Sequence, residues 1–232
     1  APVKGPSRDP SVWHEPALRV DAAATGEDLV GDEPALAAVG ESLRTYGDRY
    51  RERRATTPPG RRWAAVTLAL ALAGPAGILG AFAASLAVGA SFAFAVFAVV
   101  LVGPITEEFV KVAGPLHLAE SRPWLVPAAW VLIAVAVVGG LGFAAIENWV
   151  YLNIYIDAPS DDIIRWRWIF GPLIHGTASA LAGVGVARMW RLTDRSGVPP
   201  TPSVAMPWFI AAVAVHGTYN LLAVILEVTD TI

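Results

Sequence analysis

The chain has 232 residues and no cysteine, with 55% hydrophobic and 16% charged side chains, a formal charge of −3 and a mean hydropathy of +0.51. That charged fraction is well below the quarter usual in soluble domains, and the lack of cysteine excludes a disulfide framework, a thiolate metal site and a thiol nucleophile. The charge is also uneven. Residues 1–62 carry ten basic and ten acidic side chains, whereas residues 63–232 carry seven and ten. Long apolar runs with few charges are membrane spans. The expected fold is therefore an all-α, polytopic transmembrane bundle of five to six spans behind a soluble N-terminal segment.

In chain order, residues 1–34 are rich in Pro, Gly, Asp and Glu, the composition of a disordered segment. Residues 35–54 fit an amphipathic helix, and Thr56-Thr57-Pro58-Pro59-Gly60 breaks it. Residues 43–62 hold seven basic and two acidic groups directly before the first apolar run, a pattern that suits anchoring beside anionic headgroups better than nucleic-acid binding. No apolar signal-peptide core precedes Trp63, so the first span is expected to act as its own uncleaved insertion signal. The organisation read from this is a cytoplasmic segment over residues 1–62, acidic then basic, followed by a membrane domain over residues 63–232.

From Trp63 to Val102 no residue is charged, a run longer than the roughly 20 residues of one crossing. Gly74-Pro75 and Gly103-Pro104 are its natural break points, so one full crossing plus a re-entrant or surface-lying piece is expected there. Further spans are expected over Pro104–Leu118, Trp124–Tyr151, Trp166–Trp190 and Val204–Leu226, five in all. Tryptophans near these ends suit the membrane interface, and small residues such as Gly139, Gly140, Gly183 and Gly185 suit close helix approach. The basic stretch before Trp63 and the loop with Arg188, Arg191 and Arg195 belong on the cytoplasmic side of a cell membrane. Asp157, Asp161 and Asp162 then face outward, against which Arg165 and Arg167 argue slightly.

Within these spans lie Glu107, Glu108, Lys111, Glu147, Asn148, His175, His216 and Asn220. Each charged group near the bilayer centre costs roughly 2.5–3.5 kcal/mol on insertion scales unless it finds a partner, so the groups are expected to face one another. Glu107 and Lys111 are four residues apart, as are Phe143 and Glu147, His175 and Ser179, and His216 and Asn220, so each pair shares a helix face. Depths along the spans bring all four faces to a common level in the outer half of the membrane. Each group also has a plainer role. Glu107 and Glu108 could serve a helix N-terminus, Glu147 and Asn148 a helix end, and each histidine a packing contact; His14 and His117 are read as incidental.

Glu107-Glu108-Phe109-Val110-Lys111 fits an E-E-x-x-K motif and Phe143-Ala144-Ala145-Ile146-Glu147-Asn148 fits F-x-x-x-E-N, followed in order by the motifs at His175–Ser179 and His216–Asn220. Over about residues 100–225 the chain resembles the PrsW family of intramembrane proteases, relatives of the CAAX prenyl protease and bacteriocin-processing group. The resemblance implies an endopeptidase that cleaves membrane proteins in the bilayer, single-span anti-sigma factors being the best-known substrates. It leaves open a metal-dependent or a glutamate-dependent mechanism. On this reading Glu107 is the general base with Glu108 as the alternative, Lys111 keeps a carboxylate ionised, and His175, His216 and Asn220 orient water or the oxyanion. With zinc, the ligands expected are Glu147, His175 and His216; no H-E-x-x-H helix is present. A proton-coupled transporter and a non-catalytic membrane scaffold are the competing readings of such a cluster.

Overall fold

The computed structural model describes residues 45–73 and 91–229. The proposed disordered segment, the start of the amphipathic helix and the proposed re-entrant piece lie outside these residues. Among the described residues the chain is helical and contains no strand.

Helix α1 (Tyr46–Thr56) is charged throughout and ends where Pro58 and Pro59 offer no backbone N–H. Thr57 closes it, its N–H and its hydroxyl both donating to the Arg53 carbonyl at 3.0 and 2.6 Å. Pro59 then opens α2 (Pro59–Ala73) at the first helical position, where its fixed φ is favourable. Although α1 is polar, it is held down. The buried Tyr50 donates its hydroxyl to Asp194 at 2.6 Å, and Arg54 donates to the Val126 carbonyl at 2.9 Å while lying over the Trp190 ring.

Helix α3 (Phe92–Ser121) corrects the expected boundary at Gly103-Pro104, because it runs unbroken through both residues. The turn Ala98–Val102 is π-helical, and the Gly103 N–H donates to the Ala98 carbonyl. Continuing that pattern, Pro104 would have to serve Val99 and cannot. Asn220 does so instead, its amide donating to the Val99 carbonyl at 2.9 Å. The next carbonyl, Val100, faces Gly217, where a side chain would collide with it. In hydrocarbon an interrupted helix would strand many backbone groups. A local widening with one side-chain donor serves the Val99 carbonyl, so the helix continues.

Helix α4 (Ala129–Tyr155, its last turn Tyr151–Tyr155 π-helical) packs antiparallel on α5 (Asp161–Ser196), the most extensive helix pair. Small residues permit the approach: a Cβ on Gly140 would overlap the Ser179 side chain, and one on Gly183 would lie 2.9 Å from the Ala136 methyl. With 36 residues, α5 is about 54 Å long and outreaches the hydrocarbon at both ends. Ser160 caps its start by accepting from the Ile163 N–H, and Gly197, at φ 65°, ends it. Helix α6 (Met206–Val228) returns along α5 and crosses α3 at its π-turn.

Four helices among the described residues, α3 to α6, are long and apolar enough to cross a membrane; α2 leads into the undescribed stretch. At one end of the bundle, Leu118, Leu125, Val126, Leu132, Met189 and Trp190 form an apolar core, and Val112, Ala136, Ala178, Ala182 and Ala212 form a smaller cluster. The polar side chains of the next section occupy neighbouring turns of the same helices.

The α4–α5 contact generates a test. Gly140→Val should displace Ser179 and the His175 carbonyl, 2.8 Å from the added carbon, at a cost of about 1–3 kcal/mol or more. A clear fall in the detergent-solubilised protein's Tm is expected; an unchanged Tm would refute the contact.

Candidate active site

Helix periodicity places Glu107, Glu108 and Lys111 on one face of α3, three and four residues apart. All three are buried, Lys111 and Glu108 with 0% exposure. The ammonium of Lys111 is the hub: it lies 2.8 Å from Glu108 Oε1, 3.6 Å from Glu107 Oε2 and 4.1 Å from the centre of the Phe143 ring. Its fourth neighbour is His175 Nδ1 on α5, at 2.6 Å.

That contact fixes a tautomer. A charged Lys111 can only donate, so His175 Nδ1 accepts and the ring proton sits on Nε2. Nε2 in turn donates to Glu147 Oε2 on α4 at 2.9 Å. On α6, His216 Nδ1 lies 2.8 Å from Glu108 Oε1 and donates to that carboxylate. Its Nε2 is left facing Glu107 Oε2 at 3.7 Å. The two imidazoles are perpendicular, 4.8 Å apart. Glu107 Oε2 and Glu108 Oε2 are both buried without a hydrogen-bond partner among the described residues, and of the two it is Glu107 Oε2 that faces His216 Nε2.

Six of the eight expected residues therefore meet: Glu107, Glu108, Lys111, Glu147, His175 and His216. Asn148 adjoins them, its amide donating to the Arg167 carbonyl at 2.9 Å while its Oδ1 lies against Gly171. Asn220 is engaged elsewhere, on Val99. His117 is at the periphery, 3.3 Å from Ser121 Oγ, and His14 is outside the described residues. The structure adds Arg167, whose Nη2 lies 3.4 Å from Glu147 Oε2 and whose guanidinium lies 3.8 Å from the Tyr151 ring centre. In the sequence it reads as a charge next to Arg165. It lies at the first turn of the expected span Trp166–Trp190, and the packing of α5 on α4 brings it to Glu147.

Known families give an independent reading. Residues 57–232 match the PrsW family, described as intramembrane metalloproteases. The chain belongs to the PrsW family. No curated protein and no solved structure matches it. The family match is wider than the motifs, taking in α2 as well as the site helices.

The word metalloprotease makes the donor set a question of fit. Among the described residues the group able to surround one ion is Glu107, His175 and His216, with one ligand atom from each lying within 4.8 Å of the others. Glu107 thus stands where Glu147 was expected. The cause is visible: Glu147 Oε2 is spent on His175 and Arg167. Each histidine has a carboxylate behind its protonated nitrogen, as zinc-ligating imidazoles usually do. Against this, the Lys111 ammonium already occupies Nδ1 of His175. The residues fit an ion once Lys111 withdraws from that nitrogen.

The network predicts a coupling. Lys111→Met strands buried carboxylates and should lower stability by about 3–5 kcal/mol, whereas Lys111→Met with Glu108→Gln should recover part of that loss. A double mutant no more stable than Lys111→Met in thermal unfolding would show that Lys111 and Glu108 are not partners.

Proposed function

We propose that this protein hydrolyses peptide bonds of other membrane proteins within the bilayer, with Glu107 as the general base. The observation that carries the reading is the facing pair Glu107 Oε2 and His216 Nε2, two buried acceptors 3.7 Å apart. Such a pair can share the two hydrogens of one water and hold its oxygen lone pairs toward a substrate carbonyl.

In this mechanism Glu107 takes a proton as the water oxygen attacks the carbonyl carbon, and the protonated carboxyl then returns it to the leaving amine as the C–N bond breaks. Lys111, the nearest cation, offsets the negative charge that develops beside Glu107. His216 orients the water, and Glu108 fixes the tautomer of His216. The chain Arg167–Glu147–His175 holds the opposite wall of the site. A zinc ion, if held by Glu107, His175 and His216, would supply Lewis acidity and a more acidic water, and Glu107 would then serve as a ligand in place of the base.

Glu108 is the weaker candidate for the base, because Lys111 and His216 both bond its Oε1 and it has no exposure at all. By the positive-inside rule, the α1–α2 end with Arg49, Arg53, Arg54, Arg61 and Arg62 is cytoplasmic. The site then lies toward the outer half of a cell membrane, and single-span proteins of the anti-sigma-factor type are suitable substrates.

Glu107→Gln should abolish cleavage of a co-expressed single-span reporter, by about 10²–10⁴-fold, with Tm nearly kept. Glu108→Gln should lower the Tm as well. Reporter cleavage that persists in Glu107→Gln would remove the proposed base, and proton flux through liposomes in place of cleavage would favour a transporter.

Metal removal has a separate expected outcome. Because the Lys111 network ties the four helices together without an ion, chelation should leave the Tm unchanged whatever it does to cleavage. A Tm that falls on chelation and returns with zinc would make the ion part of the fold.

A further inference from the structure

At the end of the bundle far from the carboxylates, three features meet: the α1–α2 break, the first turn of α2, and the turn Ser121–Leu125 that joins α3 to α4. Between them is a cleft of about 460 Å³ lined by Arg53, Arg61, Arg122 and Trp124, with hydroxyl residues Thr56, Thr57 and Ser121. No carboxylate lines it. We propose that this cleft binds the phosphate headgroup of an anionic phospholipid.

The argument begins with which arginines are already used. Arg51 pairs with Asp48, Arg54 is committed to Val126, Pro127 and Asp194, and Arg62 donates to the Arg54 carbonyl. Arg53, Arg61 and Arg122 have no carboxylate or carbonyl acceptor among the described residues. Three guanidiniums from separate segments therefore border one cleft with their donors unspent, the donor geometry that suits a phosphate group. The threonines add little, since Thr56 and Thr57 donate to the carbonyls of Glu52 and Arg53. Arg53 also lies 4.5 Å above the Trp124 ring, which holds its guanidinium at the cleft wall.

Depth selects the lipid over a free anion. Apolar helices α2, α3 and α4 begin or end at this cleft, and Trp63, on the first turns of α2, is half exposed. Tryptophans at helix ends mark the headgroup level of a bilayer. A headgroup phosphate is therefore already at the right height, with its acyl chains free to lie along the outside of the helices. Clustered basic residues at this depth are recognition sites for acidic lipids.

The test uses full-length protein equilibrated with phosphatidylglycerol and phosphatidylcholine in equal amounts, with retained lipid counted by native mass spectrometry. Preferential retention of phosphatidylglycerol is expected. Each arginine removed should weaken it about fivefold, so Arg61→Gln with Arg122→Gln should weaken it about 30-fold. Both side chains are exposed, so the Tm should hold; Arg122→Glu alone gives a second, independent reading. Arg191→Gln with Arg195→Gln removes the same charge from the α5 end and should change retention less than twofold. Equal losses in the two double variants would overturn the cleft in favour of diffuse charge, as would no preference in the wild-type protein. Displacement of the lipid by millimolar inorganic phosphate would overturn the lipid assignment.

Discussion

The structure depends on one buried ammonium. Lys111 has no exposure and lies among apolar helices, where an unpartnered charge is expensive. Its partners come from three helices: Glu107 and Glu108 from its own, Phe143 from α4 and His175 from α5. Through Glu108 it reaches His216 on α6, and through His175 it reaches Glu147 and Arg167. Moving any one of the four helices would leave a buried polar group without one of its partners. The polar cluster thus constrains helix positions far more sharply than the apolar contacts around it, which small side chains make closely but without direction. The same constraint makes the site rigid before substrate arrives, as a catalytic constellation requires.

The departure from regular helix in α3 serves that cluster. Pro104 lies three residues before Glu107, and the π-turn ahead of it sets the rotation at which the two glutamates enter the bundle. Asn220 satisfies the Val99 carbonyl, one helical turn after His216 on the same face of α6. Gly217 lets the two backbones close on each other at that level. One helix crossing therefore registers His216 against Glu107 and Glu108 while covering the backbone group that Pro104 leaves unserved. Asn220 acts on the site through this registration.

Much of this was legible in the sequence, because hydrocarbon makes polar residues conspicuous. The spacing of Glu107 with Lys111, and the appearance of Glu147, His175 and His216 one to a helix, sufficed to foresee a shared pocket. Two things were not legible. A proline reads as a break, and nothing local reveals that Asn220, more than a hundred residues later, supplies the missing hydrogen bond. Arg167 sits beside Arg165 at the very start of the expected span Trp166–Trp190, and a charge shows its function only when its partner's position is known. The exchange of Glu147 for Glu107 in the possible ion-binding group has the same origin. Both are intramembrane glutamates in motifs, and only the positions of His175 and Arg167 show that Glu147 Oε2 is already engaged.

Adjacent glutamates on a helix project about 100° apart, and here that angle separates their chemistry. Lys111, at three residues from one and four from the other, lies between them and attracts both. It cannot distinguish them by charge. The distinction is made by α6: His216 places Nδ1 2.8 Å from Glu108 Oε1 and Nε2 3.7 Å from Glu107 Oε2. Two donors converge on Glu108 Oε1, which commits that oxygen to the network. A carboxylate whose oxygen faces another acceptor is unsatisfied until something brings hydrogens or positive charge between them. Water and a metal ion both answer that description, and each would arrive at the same point, beside the glutamate oxygen that His216 Nε2 faces.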